Sequence, residues 1–505
     1  MIFTKALSLV ILIIFALCMG FIFIYSLIQL SLIINYLNAR KNRPSSSPPL
    51  TDDLPHVTIQ LPVYNELYVV ERLIESVCSF DYPKSKLEIQ VLDDSTDESV
   101  ELIANKVHFF QLEGFDIQHV RRPERIGFKA GALKYGTANC KGEFIAIFDA
   151  DFLPEPDFLK RALPYFQNEN VGVVQSKWEY TNENYSFLTK VQAFGLNAHF
   201  SIEQVGRNYG NHFINFNGTA GIWRKSCIAD AGDWQADTLT EDLDLSYRAQ
   251  LKGWKFIYLE QLGSPSELPV EINALKAQQF RWTKGAAECV RKNLWKVLKN
   301  GDIKLSTKLH AIFHLMNSSI FLAILTLSLL SLPVVLIKPL YMEYSWLLKL
   351  SSIFMISWFI LGLFYWISYS YDTSDKWKKF KTYIWKFPLF LSISMGLALH
   401  NAIAVFEGYI GKKSPFIRTP KFNIQEKSDK WESNKYNVKK IGLLTYFEGL
   451  ILFYFIYTLI VAILYLDFSM IPLLLFLITG YSIVFFSSIF HAKRSSKSLN
   501  YENAF

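Results

Sequence analysis

The side chains best suited to chemistry in this sequence are carboxylates that follow apolar runs. The stretch AIFDADFL places Asp149 and Asp151 two residues apart at the end of such a run. Two uncompensated charges at the end of a buried strand are costly, so they need a metal ion, a helix N-terminus or basic side chains as partners. Asp93 and Asp94 follow a second apolar run, and Glu66 follows a third. The repetition favours a metal that is held by carboxylates together with a substrate phosphate.

Glycine-rich phosphate loops are absent from the sequence. No GxGxxG follows the first predicted strand, and GxxxxGK[ST] occurs nowhere. Dinucleotide oxidoreductases and P-loop NTPases therefore lose their main signature. Mg²⁺ or Mn²⁺, which prefers hard oxygen ligands, is the cofactor expected at the strand ends. A basic cluster follows the acidic strand ends and is either a solvated face or a means of neutralising a diphosphate; it comprises Arg121, Arg122, Arg125 and Lys129.

Two polar stretches have a simple structural interpretation beside a chemical one. Thr240 precedes Glu241 and Asp242 at the start of EDLDLSYRAQLKG, which is typical of a helix capped by the threonine. Among acidic strand ends, however, Asp242 becomes a candidate general base. Ser95 or Thr96 is expected to cap the helix that follows Asp94, because hydroxyls satisfy free N–H groups there.

Two further stretches combine arginine or lysine with aromatic residues. In QQFRW, Gln278 precedes Arg281 and Trp282. Arginine offers a two-pronged contact to phosphate and tryptophan a flat face to a sugar ring, although packing beside a surface charge is the alternative. The stretch Phe416–Lys421, FIRTPK, lies in a basic loop, and its composition alone favours an interfacial loop.

The elements that must position these groups alternate between strand and helix patterns. Four near-continuous apolar runs, VTIQLPVYN, LEIQVLDDS, FDIQHV and EFIAIFDAD, are separated by helical patterns. Such alternation predicts a mostly parallel sheet covered on both faces, within an α/β domain large enough to bury its own core. Ligands of parallel sheets bind beyond the carboxyl ends of the strands, where the acidic residues lie.

Long apolar runs on either side of this domain account for much of the 51% hydrophobic composition. The first, Ala6–Leu37, is longer than a signal-peptide core and predicts a retained membrane helix. Arg40, Lys41 and Arg43 follow it, so the next segment is expected on the cytoplasmic side. Further membrane segments are predicted at Leu309–Ile337, Ser345–Tyr371, Phe387–Ile410, Leu443–Tyr465 and Phe468–Phe490.

The run Phe387–Ile410 differs from the others. Basic stretches, Lys376–Lys386 and Lys412–Lys440, flank it on both sides, and both cannot be cytoplasmic if the run crosses once. His400 and Glu407 within it are expensive in lipid. A re-entrant, broken or interfacial segment that faces protein or a cavity is therefore predicted.

Charge and cysteine usage narrow the classes of partner. The net charge is +7, and many lysines lie in short loops between apolar runs, which suits anionic lipid headgroups better than nucleic acid. The five cysteines form no CxxC and no paired spacing, so neither a disulfide framework nor structural zinc is expected.

The pattern divides the chain into successive regions. They are an N-terminal transmembrane helix at 1–39, a linker at 40–54, a cytoplasmic α/β domain at 55–305, transmembrane or interfacial helices at 306–492 that include a loop at 412–441, and a cytoplasmic tail at 493–505.

Taken in order, the motifs PVYNE, VLDDSTD, FKAGAL, FDADFLP, FNGTAG, TEDLDL and QQFRW resemble a processive membrane glycosyltransferase of family two. The finer match is to cellulose-synthase-like enzymes that make β-mannan or β-glucan backbones. This resemblance implies a GT-A-type cytoplasmic domain with a Rossmann-like, mostly parallel sheet, inserted between an N-terminal transmembrane helix and a C-terminal multi-helix membrane domain. Phe416, Thr419 and Lys421 are similar to the gating loop of cellulose synthases, with Arg418 in place of its valine.

The resemblance also implies residue roles. Asp242 is the expected base, Asp151 with Asp149 the metal ligands, and Phe416, Thr419 and Lys421 a gating-like loop. Expected contacts are Glu66, Asp93, Asp94, Lys129, Asp149 and Arg281 to the nucleotide sugar, and Gln278, Trp282 and Glu241 to the acceptor.

The implied activity is inverting, metal-dependent transfer from UDP-glucose or GDP-mannose to a growing β-glycan, which is exported across the membrane. One alternative is single transfer to a membrane lipid, and another is a transporter with a cytoplasmic nucleotide-binding domain. Membrane lipids are expected partners, and nucleic acid is not. A bacterial inner membrane and a eukaryotic Golgi membrane both fit a multi-pass protein with a cytoplasmic active site; oligomeric state stays open.

Overall fold

The computed structural model describes residues 2–43, 48–50, 53–371, 375–431, 434–436 and 441–502. Parts of the predicted regions lie outside the described residues. These are residue 1 of the N-terminal helix, 44–47 and 51–52 of the linker, 372–374 between two predicted membrane segments, 432–433 and 437–440 of the gating-like loop, and 503–505 of the tail.

The secondary structure alternates in the first half and is helical in the second. The strands are β1 (Val57–Val63), β2 (Leu87–Asp93), β3 (Asp116–Val120), β4 (Phe144–Ile147), β5 (Val171–Tyr180), β6 (Gly221–Arg224) and β7 (Lys255–Ser266). The helices are α1 (Ile2–Lys41), α2 (Val70–Cys78), α3 (Ser99–Leu112), α4 (Phe128–Asn139), α5 (Phe158–Ala162), α6 (Phe187–Ala198), α7 (Gln204–Tyr209), α8 (Lys225–Asp230), α9 (Glu241–Leu251), α10 (Ile272–Lys299), α11 (Leu305–Leu315), α12 (Ile320–Leu340), α13 (Ser345–Ser352), α14 (Ile356–Ser370), α15 (Lys376–Gly396), α16 (Ala398–Ile410), α17 (Leu443–Leu464) and α18 (Ile471–Glu502).

The strands form one seven-stranded sheet in the order β3-β2-β1-β4-β6-β5-β7. The pairs β1·β2, β1·β4, β2·β3 and β5·β7 are parallel, and β6 runs antiparallel to both of its neighbours. The register pairs Val63 with Asp93 and Gln60 with Ile147, so the acidic residues after β1, β2 and β4 meet at one edge. The predicted α/β class with a mostly parallel sheet is confirmed.

Both faces of the sheet are buried, as its near-continuous apolar strands predict. Along β4, Phe144 and Ala146 belong to one core cluster, while Ile145 and Ile147 belong to the other. Because successive side chains of a strand point to opposite faces, this alternation means that helices cover the sheet on both sides.

The second half of the sheet contains elements that the apolar patterns did not predict. Strand β6 has only four residues, and β7 contains Gly263 and Pro265, which are more typical of turns. Their strand conformation comes from pairing with β5 and β4 rather than from local propensity.

Five helical segments of the described residues are long and apolar enough to cross a membrane. These five segments indicate a multi-pass membrane protein. Helices α15 and α16 meet at a bend of 50° around Leu397, which is the broken arrangement predicted for Phe387–Ile410. The five candidate spans are Lys5–Lys41, Leu305–Leu340, Met342–Ser370, Leu443–Leu464 and Ile471–Arg494.

Candidate active site

A cavity of about 170 Å³ opens beyond the carboxyl ends of the central strands. It receives side chains from the strand ends, from α9 and α10, and from the loop after α16. All but one of the residues to which the resemblance assigns a role line it: Glu66, Asp94, Lys129, Asp149, Asp151, Glu241, Asp242, Gln278, Arg281, Trp282, Phe416, Thr419 and Lys421. Of the basic cluster, Arg125 and Lys129 line the cavity, and Arg121 and Arg122 do not.

Asp93 is the predicted residue that does not line the cavity. Its carboxylate is buried, lies 2.8 Å from His119 Nε2 and accepts a hydrogen bond from the Ser95 backbone N–H. Although burial opposes it, hydrogen bonds from His119 and Ser95 hold the pKa of Asp93 below its usual range. Asp94 reaches the cavity instead and pairs with Arg122. Of the two adjacent aspartates, the geometry therefore leaves Asp94 available to a nucleotide.

The expected cap of α3 by Ser95 or Thr96 is wrong. Ser95 Oγ accepts the backbone N–H of Asn65 at 2.8 Å, so it joins the ends of β1 and β2. The Thr96 N–H donates to Asn65 Oδ1 at 2.9 Å. In the first turn of α3, the free N–H group of Ser99 donates instead to Asp97 Oδ1 at 3.1 Å.

Asp149 and Asp151 lie just after β4, and each has a lysine as its partner. Lys129 Nζ donates to Asp149 at 2.5 Å, and Lys421 Nζ donates to Asp151 at 2.6 Å. Asp151 also accepts the Glu267 backbone N–H at 3.2 Å. Two cationic partners explain how the end of a buried strand carries two carboxylates without a large desolvation cost.

The donor set at this strand end suits a divalent cation only when a substrate completes it. The described residues contain no cluster of three or more His, Cys, Asp or Glu side chains that could hold a metal. Mg²⁺ in phosphate-transferring sites uses one or two carboxylates together with substrate phosphates. Asp149 and Asp151 provide that minimal set at the cavity wall, and a cation there would compete with Lys129 and Lys421.

Asp242 lies in the first turn of α9 and lines the same cavity as these carboxylates. Burial, reinforced by the adjacent Glu241 carboxylate, raises the pKa of Asp242 well above its usual range, and burial also raises that of Glu241. The Lys129 ammonium group interacts with the carboxyl groups of both Asp242 and Glu241. Burial alone would lower the pKa of Lys129, but the carboxylates of Asp149, Glu241 and Asp242 raise it. A buried carboxyl group with a raised pKa is suited to accept a proton near neutral pH.

Gly218 allows the backbone to approach Asp242 closely. Its φ of +80° lies in the left-handed region, and a Cβ added there would come within 2.9 Å of Asp242 Oδ2. The Gly218 carbonyl also accepts a hydrogen bond from Lys129 at 2.9 Å. Gly218, the first glycine of FNGTAG, therefore shapes the space beside the candidate base.

Thr240 occupies the N-cap position of α9, as predicted, but its side chain does not cap the helix. The Thr240 hydroxyl lies 3.5 Å from Cys289 Sγ on α10. A Cβ added at Gly285 would come within 2.5 Å of Thr240, so α10 packs directly behind the start of α9. This close packing, rather than a side-chain cap, positions Asp242 relative to α10.

Helix α10 presents the QQFRW motif to the cavity. Glu271 caps it by accepting the N–H groups of Asn273 and Ala274. Gln278, Arg281 and Trp282 follow at helical spacings of three and four residues, and all three line the cavity.

An aromatic floor lies beside Trp282. The rings of Trp282 and Trp178 have centroids 6.4 Å apart, and Trp178 packs against Phe152 and Phe200. The buried Trp178 Nε1 and Tyr180 hydroxyl have no hydrogen-bond partner among the described residues, although both side chains line the cavity. Flat rings with neighbouring polar groups are the contacts that a sugar ring and its hydroxyls use.

The segment Phe416–Lys421 reaches into the cavity from the loop after α16. Phe416 stacks on Phe128 with centroids 5.7 Å apart, and the Arg281 guanidinium lies 4.9 Å from the Phe416 ring centroid. Arg418 forms an ion pair with Glu66 at 2.7 Å. Burial raises the pKa of Glu66 to about 7, although Arg418 opposes this shift. The basic loop is thus part of the cavity wall, which its composition alone did not predict.

Glu267 anchors this loop to the sheet. Its two carboxylate oxygens accept the backbone N–H groups of Phe422 and Asn423, each at 2.8 Å. Lys421 also donates to the Glu267 carbonyl at 3.1 Å. These hydrogen bonds therefore hold the loop segment next to Asp151.

Arg418, Glu267 and Trp178 are cavity residues to which the sequence assigned no role. Arg418 was visible only as a departure from the gating-loop pattern, and Glu267 only as part of the matched ELP tripeptide. Trp178 carried no signal, because it belongs to a strand that the apolar pattern did not predict.

Residues 55–285 match the protein-family model described as "Glycosyltransferase like family 2". We call this matched part of the chain the family 2 domain. The match spans the strand ends, the start of α9 and the QQFRW motif, and so confirms the resemblance drawn from those motifs.

Two plant proteins illustrate the similarity of sequence. The chain is 44% identical over 268 residues to a protein of Oryza sativa subsp. japonica named "Probable glucomannan 4-beta-mannosyltransferase 7", covering 52% of this chain and 46% of the relative. It is 37% identical over 317 residues to "Glucomannan 4-beta-mannosyltransferase 7" of Arabidopsis thaliana, covering 60% and 57%. The chain spans about half the length of the curated relatives it matches.

The fold of the chain also resembles that of a solved structure. A mannosyltransferase, PcManGT, from Pyrobaculum calidifontis, solved in complex with GDP-Man and Mn²⁺, is similar with a TM-score of 0.52 at 18% identity. The similarity covers 77% of this chain and all of that one. At this identity the similarity concerns the fold, which agrees with the GT-A type expected.

Proposed function

We propose that the chain is an inverting, metal-dependent glycosyltransferase that builds a β-linked polysaccharide from a nucleotide sugar. The observation that carries the proposal is the convergence of three groups on one cavity: Asp242, the Asp149/Asp151 pair, and the Arg281–Trp282 motif of α10. They correspond to a base, a diphosphate site and an acceptor platform.

The reaction is a single displacement. Asp242 takes the proton from an acceptor hydroxyl, the acceptor oxygen bonds to the anomeric carbon, and the bond from that carbon to the nucleoside diphosphate breaks. Arg281 and Lys129 bind the departing diphosphate through charge-assisted hydrogen bonds. Asp149 and Asp151 would hold Mg²⁺ or Mn²⁺, which would supply further neutralisation of the diphosphate charge. Attack from the face opposite the leaving group converts an α-linked donor into a β-linked product.

The acceptor in this proposal is the end of a growing glycan. Support comes from the aromatic floor of Trp282 and Trp178, whose area suits stacked pyranose rings. The unpaired Trp178 Nε1 and Tyr180 hydroxyl would be satisfied by sugar hydroxyls. Gln278 and Glu241, which line the same cavity, would provide further polar contacts.

GDP-mannose is the proposed donor, and UDP-glucose is the competitor to be tested. The support is the naming of the plant relatives as glucomannan 4-beta-mannosyltransferases. Asp94 and Glu66 are the proposed contacts to the nucleotide. Isothermal titration of the purified protein with GDP and with UDP tests this choice, with tighter GDP binding expected and a clear preference for UDP contradicting it.

The membrane helices suggest where the product goes. Helix α10 ends at Lys299 and the next helix begins the membrane part at Leu305, so the acceptor platform stands close to the spans. We infer that the family 2 domain is cytoplasmic, because Arg40, Lys41 and Arg43 follow the first span. The growing polymer would then leave through the membrane part. A bacterial inner membrane and a Golgi membrane fit this orientation equally.

Product analysis separates this function from its alternatives. The protein in lipid nanodiscs is incubated with radiolabelled GDP-mannose or UDP-glucose, Mn²⁺ and a short β-glycan acceptor. The proposal expects label in material that resists organic extraction and is digested by a β-mannanase or a β-glucanase. Label confined to the organic phase would contradict it in favour of a glycolipid synthase.

A matched pair of variants connects this product to the cavity. Asp242→Asn is expected to lower turnover by about 10³-fold, in the range for loss of a general base. Asp237→Asn, at an exposed ion pair with Lys292, is expected to leave turnover within about twofold. Full turnover in Asp242→Asn would exclude Asp242 as the base.

A further inference from the structure

A second cavity lies outside the active site, where the membrane part meets the family 2 domain. Its volume is about 490 Å³. We call it the interfacial pocket; its walls come from the start of α6, the loop segment Lys427–Trp431 and the last turns of the α18 span.

The polar wall of the interfacial pocket is basic. Lys427 and Lys430 line it from the loop, and His491 and Arg494 line it from α18. Asp429 is its one acidic residue among those described, and the Asp429 carboxylate already accepts the N–H groups of Gln425 and Glu426 at 2.8 Å. The wall therefore offers a net positive charge to an incoming anion.

A second set of lining side chains is apolar, and we call it the apolar wall. Leu188 and Val270 line it from the family 2 domain, Ile483 from α18, and Phe187 is 48% exposed. A soluble anion would gain nothing from these side chains, whereas a molecule with a charged head and hydrocarbon chains would contact both walls.

The position along α18 sets the depth of the pocket in the membrane. Ile483, Ser487, His491 and Arg494 follow one face of the helix at spacings of four, four and three residues. Arg494 ends the segment that is long and apolar enough to cross, so the basic wall lies at the headgroup level.

A neighbouring face of α18 provides a place for acyl chains. Phe486 and Phe490 lie on the same turns as the pocket residues and are about 60% exposed. Exposed phenylalanines on a spanning helix face the hydrocarbon region. A molecule seated in the pocket could thus extend its chains along this face.

We propose that the interfacial pocket binds an anionic phospholipid, with its phosphodiester against Lys427, Lys430 and Arg494 and its acyl chains along Phe486 and Phe490. The basic residues match the phosphate, and the apolar wall with the depth at the bilayer surface selects a lipid over a free phosphate.

The bound lipid would connect the gating-like loop to the elements that carry the active site. The Tyr185 hydroxyl donates to the Asp429 carbonyl at 3.0 Å, and the Trp431 ring lies 5.2 Å from that of His491. The Ile272 N–H donates to His491 Nδ1 at 3.2 Å, which ties α18 to the first residue of α10. The lipid would therefore stabilise the position of the loop that carries Arg418 and Lys421.

Photo-crosslinking in nanodiscs tests the proposal with the full chain. The nanodiscs contain phosphatidylcholine and a trace of photoreactive phosphatidylglycerol, and labelled peptides are mapped by mass spectrometry. Label is expected in Lys427–Trp431 and in 483–494. Each removed positive charge should weaken capture about fivefold, so Lys430→Gln with Arg494→Gln should weaken it about 25-fold.

The control charge is Lys493, which is exposed beside Arg494 on α18 but does not line the pocket. Lys493→Gln is expected to retain nearly full labelling, whereas equal labelling in this control and in the double variant would overturn the proposal. The single variants Lys430→Gln and Arg494→Gln provide the same comparison if the double variant unfolds.

Competition experiments identify the source of the phosphate. Unlabelled phosphatidylglycerol should displace the probe, while millimolar inorganic phosphate and added phosphatidylcholine should not. Displacement by inorganic phosphate would overturn the lipid assignment, and equal displacement by phosphatidylcholine would overturn the need for an anionic headgroup. None of these measurements depends on sugar transfer, so they stand apart from the proposed function.

Discussion

At the scale of single residues, the electrostatics of the cavity assign different tasks to similar carboxylates. Asp149 and Asp151 each form an ion pair with a lysine, so a bound cation would take the place of that lysine. Asp242 is buried beside another carboxylate and instead holds a proton more readily. Acid–base sites often contain residues of the same type whose different surroundings give them different tasks.

The raised pKa of Asp242 predicts the acid limb of the pH profile. Below its pKa the carboxyl group is neutral and cannot accept the acceptor proton, so turnover should fall as the pH decreases through a value well above the usual 4 or so of an aspartate. The measurement is the initial rate of sugar transfer at saturating donor between about pH 5 and pH 9.

Glu66 is the necessary control, because burial raises its pKa to about 7 as well. The Glu66→Gln variant cannot titrate at this position and should keep the acid limb of the parent protein. Loss of the limb in Glu66→Gln, or an acid limb near pH 4 in the parent, would contradict the assignment of the limb to Asp242.

At the scale of elements, the part of the fold that could be predicted is the part with strong local patterns. Strands β1 to β4 and helices α2, α3 and α4 lie where apolar runs and helical spacing put them, because buried parallel strands leave a continuous apolar signature. The later strands β5, β6 and β7 could not be predicted in this way, since pairing across the sheet determines them.

The same division applies to the site. The acidic strand ends and QQFRW could be found because they follow apolar runs or sit on one helix face. The contacts Arg418–Glu66 and Lys421–Asp151 join residues far apart in the chain, so no local pattern encodes them. The roles of all these residues stay predictions until they are tested.

The pairing of Lys421 with Asp151 predicts competition between the loop and a divalent cation. Lys421→Met removes the ammonium group from the carboxylate, so Mn²⁺ should bind about fivefold more tightly, as expected for loss of a competing ion pair worth ~1 kcal/mol. Electron paramagnetic resonance of Mn²⁺ in the presence of GDP measures this affinity without turnover.

Lys412 offers a matched control in the same loop region. It pairs with Glu407 rather than with a strand-end carboxylate, so Lys412→Met should leave Mn²⁺ affinity unchanged. Equal Mn²⁺ affinity in the parent protein and in Lys421→Met would argue against a shared carboxylate.

At the scale of the whole molecule, a buried ion pair connects the family 2 domain to the membrane helices. Lys276 of α10 donates to Glu448 of α17 at 2.7 Å and to Ser488 of α18 at 2.9 Å. Both ion-pair partners are almost fully buried. Removing one partner of a buried ion pair strongly destabilises a protein, whereas replacing both partners by apolar residues is often tolerated.

Stability should follow this rule. Glu448→Gln leaves the Lys276 ammonium buried without its counter-charge and should lower stability by about 3–5 kcal/mol, which a thermal unfolding scan in nanodiscs would record as a clear fall in Tm. The double variant Lys276→Met with Glu448→Leu should regain most of that loss. A double variant no more stable than the single one would show that the pair acts through other contacts.

The anomeric configuration of the first linkage formed tests the central claim most directly. A single displacement with Asp242 as the base would invert the anomeric configuration of the donor once. Nuclear magnetic resonance of the product from an α-linked nucleotide sugar and a short acceptor should show β linkages, which disappear in Asp242→Asn. An α-linked product, or a β-linked product made at full rate by Asp242→Asn, would contradict the account.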